Sequence, residues 1–320
     1  MDEPTSRPHV PVLREAVMGF LGCHAGGVYV DGTVGGGGYA EAILQASAPD
    51  GVLIALDCDA EAIARVQQRL PSYQNRLFLA QANFADLPHI LEEFGQRPVD
   101  GIVVDLGVSS FQITDSARGF SFMLDGPLDM RMDRNLPHTA SDLVNTLSER
   151  DLTSLIRDLG EERWARRIAG AIVLRRGIGP FTTTLDLAKV IEKTVPKTKD
   201  SFRIHPATRT FQALRLAVNR ELESLEQFLA QVLDLMKPGG RLCTVAFHSL
   251  EDRIIKHTFK HWSQSCTCPK NVPQCQCLGQ PLVKILTRRP GRPDPGEIER
   301  NPSARSARLR AVEKCQMDTN

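Results

Sequence analysis

At 320 residues the chain exceeds the roughly 100 to 200 residues of one ordinary domain, which predicts two, each able to bury its own core. Hydrophobic residues at 42%, charged residues at 24% and aromatics at 6% exclude a disordered or fibrous protein, and no run of about 18 apolar residues is present to cross a membrane. A formal net charge of +1 excludes polyanion binding by overall charge and leaves that role to local clusters.

The segment 1–10 carries Asp2, Glu3, Pro4 and Pro8 with no apolar stretch, so it does not read as a secretory signal, and a cytoplasmic protein is expected. The eight cysteines are then expected as thiols or metal ligands rather than a disulfide framework. From Val28 onward, apolar runs alternate with helical stretches. Val28 to Val30, Val52 to Leu56, Leu77 to Ala80 and Gly101 to Val104 read as buried parallel strands. Ala40 to Ala46 and Glu61 to Leu70 read as helices between them, the second ending before Pro71. Strand and helix in alternation predict a doubly wound α/β sheet.

After Asp105 the alternation stops. A loop rich in Gly, Asp and Met, Arg118 to Asp133, leads into about five helical stretches ending near Val218. Ser141 before Leu143 and Thr184 before Leu185 read as helix starts, Gly160 reads as a stop, and Trp164, Ile168 and Ile172 form one stripe. The strand pattern resumes after the helix face of Leu222, Leu225, Leu229, Val232 and Met236 and the turn Lys237-Pro238-Gly239-Gly240. Arg241 to Phe247 reads as the fifth strand, and Val283 to Thr287 with Ala307 to Val312 as a closing hairpin, seven strands in all. The expected organisation is 1–115 and 219–320 as two parts of a sheet domain, with 116–218 inserted as an all-helical domain.

The stretch Val30-Asp31-Gly32-Thr33-Val34-Gly35-Gly36-Gly37-Gly38-Tyr39 follows the first strand and opens a helix, so a ligand can approach the backbone closely. Asp57 ends the second strand, where a carboxylate can accept both ribose hydroxyls of a nucleoside, and Asn83-Phe84 follows the third, where an adenine would lie. These three features fit a dinucleotide and S-adenosylmethionine alike. Asp31 and Asp105 at strand ends favour the second, because carboxylates attract a cationic sulfonium and repel a pyrophosphate.

Asp105-Leu106-Gly107-Val108-Ser109-Ser110 leaves the fourth strand where an acceptor amine would be oriented, with Asp105 and Ser109 as hydrogen-bond partners for its protons; a plain capped turn is the alternative. No cysteine lies near this loop to act as a nucleophile, and Cys243 reads as a core residue. In Phe247-His248-Ser249-Leu250-Glu251-Asp252-Arg253, Ser249 and Asp252 match a capping box, which leaves His248 as a substrate-side candidate. Cys266, Cys268, Cys275 and Cys277 suffice in number for a zinc knot, although their CxC spacing is unusual, and Asp125, Asp129 and Asp133 read as solvated acids before they read as cation ligands. Two segments are locally basic: Lys189 to Arg220, with eight Lys or Arg against two acids, and Lys284 to Lys314, with nine against four.

The runs Asp105 to Ser110, Arg118 to Phe122, Asp125 to Asp133, His205 to Ala213, Phe247 to Arg253 and Asn301-Pro302 together resemble the bacterial 16S rRNA cytosine-N4 methyltransferase (MraW) family, from about His9 to Val312. The resemblance implies a Rossmann-like class I methyltransferase sheet with an inserted helical domain facing RNA. It implies methyl transfer from S-adenosylmethionine to N4 of a cytidine in the decoding region of 16S rRNA, with rRNA or the small subunit as partner. Carried over by position, the cofactor contacts are Gly37, Gly38, Tyr39, Asp57, Phe84, Asp105 and Gln112; the residues themselves place Asp105 and Ser109 at the amine and Arg209 and His248 toward RNA. Tyr39 stands where the family often has His, and Phe111 where it often has Pro. Rivals on the same fold are a nicotinamide oxidoreductase, a non-catalytic RNA-binding factor, and a methyltransferase for adenine N6 or a protein amine.

Overall fold

The computed structural model describes residues 11–196, 204–266, 268 and 279–316. It divides into two compact units, one made of Met1–Gly107 with Glu223–Asn320, the other of Val108–Leu222.

In chain order the first unit opens with α1 (Arg14–Leu21), β1 (Val28–Asp31), α2 (Gly38–Ala46), β2 (Val52–Asp57), α3 (Ala60–Arg69), β3 (Leu77–Gln81), α4 (Leu87–Glu93) and β4 (Val99–Asp105). The second holds α5 (Ser110–Thr114), α6 (Ala140–Thr146), α7 (Glu149–Gly160), α8 (Ala165–Arg176), α9 (Thr184–Thr194) and α10 (Thr208–Asn219). Then come α11 (Glu221–Leu235), β5 (Met236–Ala246), α12 (Ser249–Trp262), β6 (Val283–Ile285), α13 (Pro295–Arg300) and β7 (Arg308–Lys314).

The seven strands form one sheet in the order β3-β2-β1-β4-β5-β7-β6, the Rossmann-like arrangement with its order reversing between β1 and β4. β1 to β5 are parallel, and β7 runs antiparallel between β5 and β6. The central parallel strands read as largely apolar runs because both faces are covered. Val30, Ile54, Leu56, Ile102, Val104 and Leu242 face one core, while Tyr29, Leu53, Ala55, Val103, Cys243 and Val245 face the other. β5 starts earlier than the sequence predicts, at Met236 opposite Val99. Its pairing then lapses until Gly101 meets Arg241, because Pro238 has no N–H to donate and Gly239 turns at φ 80°.

The helical unit packs Val144, Leu152, Ile156, Ile168, Ile172, Phe181, Leu187, Ile191 and Phe211 into one core. Its helix starts differ from the predicted ones. Thr139 caps α6, while the Ser141 hydroxyl donates to the Phe181 carbonyl; Thr183 caps α9, while the Thr184 hydroxyl donates to Leu124. α7 ends at Gly160 as read, with Glu161 as its left-handed C-cap. A Cβ on Gly160 would lie 2.7 Å from the Arg209 carbonyl, so glycine is what lets α7 and α10 approach. The acids of the Arg118 to Asp133 loop are spent locally. Asp129 binds Arg131 through two bonds of 2.8 Å, Asp133 accepts the Asn135 N–H, and Asp125 accepts that of Leu185.

Candidate functional site

At the carboxyl ends of β1 and β4 two carboxylates sit inside the protein with no cation beside them among the described residues. Asp31 is fully buried, and its Oδ1 accepts the Thr33 N–H at 3.2 Å; its Oδ2 has no partner among the described residues. Asp105 Oδ1 is likewise buried without a partner among them. Between the two stands Thr33, whose Oγ1 accepts the Asp105 N–H at 2.7 Å and so ties the glycine loop to the end of β4.

Burial pushes the Asp31 carboxyl up to about 7, with the Thr33 N–H pulling it back and the charge of Asp57 adding to the rise. Burial also lifts Asp105 well above the usual carboxylate range, and the neighbouring charges of Asp31 and Glu251 lift it further. Two acids carrying this desolvation cost call for a positive charge beside them. A sulfonium or ammonium group would supply it, and that is the fit expected for S-adenosylmethionine.

Asp57 is held by two backbone donors, the N–H of Gly35 to Oδ2 and of Asp59 to Oδ1, both 2.9 Å. Burial raises it to about 6, those two donors pulling the other way. The carboxylate thus braces the glycine loop against β2. Within the loop the Gly37 N–H donates to the Val34 carbonyl at 2.7 Å, and Gly37 turns at φ 80° to open α2. A Cβ on Gly38 would run into the Pro11 ring. The first amides of α2 have no acceptor in their own helix and carry its positive end, which suits a carboxylate or hydroxyl of a ligand.

Four side chains named from the sequence have other engagements. The Tyr39 hydroxyl donates to the Val12 carbonyl in the core, so only its backbone remains for a cofactor. Phe84 is 9% exposed and packs edge-on against Phe228, their ring centres 5.4 Å apart. It offers a wall rather than an open stacking face. Asn83 next to it is spent on Ala85 and Ser224.

The fourth, His248, is the N-cap of α12, the role the sequence pattern gave to Ser249. Its Nδ1 accepts the Glu251 N–H, Glu251 accepts the N–H groups of Phe247 and His248, and His248 Nε2 lies 3.0 Å from Glu251 Oε1. Asp252, the other half of the expected box, instead binds Arg308 and Arg310 of β7 at 2.7 Å each. His248 Nδ1 is thus spent on the cap, while Nε2 is buried 3.0 Å from Glu251 Oε1 and makes no hydrogen bond among the described residues.

In the helical unit Ser109 and Gln112 cap α5 reciprocally, Ser109 Oγ accepting the Gln112 N–H and Gln112 Oε1 accepting that of Ser109. Arg209 is exposed and donates to the Glu161 carbonyl at 3.2 Å. Cys243 is buried in β5, where burial pushes its thiol up to about 12, so it serves as core and not as nucleophile. Cys275 and Cys277 of the cysteine tract lie outside the described residues, as do Lys197, Lys199 and Arg203 of the first basic segment.

Comparison with known proteins agrees with this chemistry. Residues 6–315 match the profile of the MraW methylase family. The chain belongs to the MraW methylase family. Among curated relatives, the "Ribosomal RNA small subunit methyltransferase H" of Syntrophobacter fumaroxidans is 62% identical, covering 98% of this chain and 98% of that one. Those of Geotalea uraniireducens and Geobacter sulfurreducens are 54% and 50% identical, each covering 96% of this chain and 98% of its own length. As an MraW-family methylase the protein uses S-adenosylmethionine, and the two buried strand-end carboxylates are suited to that cation. No helix among the described residues is long and apolar enough to cross a membrane.

Sequence reasoning passed over Thr33 and Glu251. Thr33 was visible only as one residue of a glycine loop, and Glu251 only as a residue between two assigned to a cap. The signal for Glu251 was its spacing three residues after His248, which matches a capping box once histidine is admitted as the cap.

Proposed function

We propose that this chain methylates N4 of a cytidine in the decoding region of 16S rRNA, with S-adenosylmethionine as donor. The observation that carries the cofactor half is the pair of buried carboxylate oxygens, on Asp31 and Asp105, that have no partner among the described residues. The substrate half is supported by membership in the MraW family and by relatives whose name specifies ribosomal RNA of the small subunit. A nicotinamide dinucleotide fits less well, because its phosphates would meet the same two carboxylates.

The chemistry S-adenosylmethionine supplies is an electrophilic methyl group on a cationic sulfur. N4 gains that methyl and gives up one proton, while sulfur keeps the bonding electron pair. The work left to the protein is mostly positioning and exclusion of water. Asp31 and Asp105 balance the donor's charge. Asp105 is also the acceptor for an amine proton, which keeps the nitrogen lone pair aimed, and Ser109, four residues on in the chain, is the second candidate for that task. Gly37, Gly38 and the Tyr39 backbone, with Asp57, Phe84 and Gln112, make up the rest of the proposed cofactor contacts. Arg209 is proposed to meet phosphate, and the helical unit to face RNA. The protein acts in the cytoplasm in this reading, where its ribosomal substrate is.

The test is nucleoside mass spectrometry of 16S rRNA after incubating small subunits from cells lacking this activity with the protein and methyl-labelled donor. N4-methylcytidine should appear with the wild type and be lost with Asp105→Ala. Label on another nucleoside, or none at all, would refute the assignment.

A further inference from the structure

The basic stretch Lys284 to Lys314 is not used by the cofactor site, and its arginines fall into two groups. Arg308 and Arg310 are fixed on Asp252, and Lys314 donates to the carbonyls of Leu233 and Met236. Arg288, Arg289, Arg292, Arg300 and Arg305 are all exposed, and none of the five is in an ion pair among the described residues. The acids nearby are fewer and hold other partners, although the two bound to backbone N–H groups keep their charge. Asp294 caps α13, Glu297 accepts the Leu13 N–H at 2.6 Å, and Glu313 binds Arg241 at 2.9 Å, which leaves Glu299.

Strand register places this group. Asp105 pairs with Val245, Val245 with Leu309, and Leu309 with Gly291, so these four residues form one row across the sheet. At about 4.8 Å per strand, Gly291 stands roughly 14 Å from the Asp105 backbone. Arg288 and Arg289 come just before Gly291 and Arg292 just after it. Arg300 and Arg305 lie on the segment leading into Arg308, which pairs with Ala246 at the same edge of the sheet. The segment is not loose: Ala304 and Ala307 are buried with Leu309 in the sheet core, Gly291 and Leu309 exchange two backbone bonds of 2.9 Å, and the Thr287 hydroxyl accepts the Ala311 N–H. Five exposed guanidinium groups, outnumbering Asp294, Glu297 and Glu299 between them and free of ion pairs among the described residues, are thus displayed from a braced loop on the edge of the sheet that holds Asp31 and Asp105.

We infer that Arg288, Arg289, Arg292, Arg300 and Arg305 form a phosphate-binding surface for the RNA strand flanking the methylated nucleotide. This rests on the reading of the chain as an RNA methyltransferase. Roughly 14 Å is the length of about four nucleotides at 3.4 Å per residue of a stacked strand, so a strand with one base at Asp105 has neighbouring phosphates within reach of these side chains. Arginine in such a surface sets affinity and position and carries no base preference.

The test measures anisotropy of a fluorescein-labelled RNA with the decoding-region sequence, titrated with the full chain at several KCl concentrations. Arg288→Ala/Arg289→Ala/Arg292→Ala, Arg300→Ala/Arg305→Ala and the matching lysine variants are compared with wild type. The alanine variants should bind on the order of tenfold more weakly, with the slope of log Kd against log salt reduced by about one for each phosphate no longer neutralised. The lysine variants should recover most of that affinity. KM for RNA should rise with kcat kept, while calorimetry with S-adenosylhomocysteine stays at the wild-type Kd. RNA affinity and salt slope unchanged in both alanine variants would overturn the inference. Wild-type protein that binds the RNA through these arginines yet forms no N4-methylcytidine would instead uphold this surface and remove the enzymatic reading.

Discussion

Thr33 and Asp105 are joined by a 2.7 Å bond from the Asp105 N–H to the Thr33 hydroxyl, although 72 residues separate them in the chain. The glycine loop is therefore tied to the backbone at the end of β4, and the bond fixes the main chain that carries the Asp105 carboxylate, not the carboxylate itself. Thr33→Val keeps the shape and deletes the acceptor. Leaving the Asp105 N–H unmet should cost about 1 to 3 kcal/mol in urea denaturation. The Kd for S-adenosylhomocysteine should rise on the order of tenfold, the equivalent of about 1.4 kcal/mol. Wild-type affinity in a variant of reduced stability would show that the bond braces the fold without shaping the site.

The raised carboxyls make cofactor binding and stability respond to pH in opposite senses. Below about 7 Asp31 is protonated and offers no charge to a cation; above it the carboxylate is ionised and attracts one. The affinity for S-adenosylmethionine should therefore climb between pH 6 and pH 8. That for S-adenosylhomocysteine, whose sulfur is neutral, should climb less, and calorimetry across that range reads the difference.

Without ligand the sign for folding is the reverse. Asp31 has an ordinary value of 3.8 when unfolded and about 7 when folded, so between those values the folded state holds the extra proton. The free protein should lose stability as pH rises from 4 to 7, by an amount on the order of a few kcal/mol. Asp31→Asn should make that dependence shallower, leaving the share that the raised carboxyls of Asp57 and Asp105 contribute, and lower the selectivity for the sulfonium. A ligand-free stability curve that rises over the same range in wild type, but not in Asp31→Asn, would contradict the burial argument.

His248 separates a cap from a substrate contact. Its Nδ1 accepts the Glu251 N–H at the start of α12, a task asparagine can also perform. His248→Asn should retain stability and kcat, and His248→Ala should lose about 1 kcal/mol of stability. An Asn variant that folds as well as wild type but turns over far more slowly would restore His248 to the substrate side.

Much of the fold was legible because its signals are local. The first four strands announced themselves as apolar runs, since residues such as Tyr29 and Val30 are both buried on opposite faces. Pro238 and Gly239 marked the break before the paired part of β5. Legibility failed where a residue's partner is distant in sequence. Nothing near Tyr39 hints that its hydroxyl belongs to Val12, and nothing near Asp252 points to Arg308 and Arg310, 56 and 58 residues on. The helix starts slipped by one or two residues because Thr139 and Thr183 precede other hydroxyl residues that satisfy the same pattern. The site divides the same way. Asp31 and Asp105 followed from their places at strand ends, whereas the bond through Thr33 and the cap through Glu251 required the strand ends to be assembled.

β7 threads between β5 and β6 and is the last strand made, while Glu297 reaches back to Leu13 across 284 residues. The helical unit, an uninterrupted segment, can mature during synthesis; the sheet must wait for its final strand to leave the ribosomal tunnel. Such long-range closure makes for slow folding. An incomplete nascent chain accordingly lacks the β7 lock on α12, so premature termination anywhere before Arg308 should yield no half-active fragment.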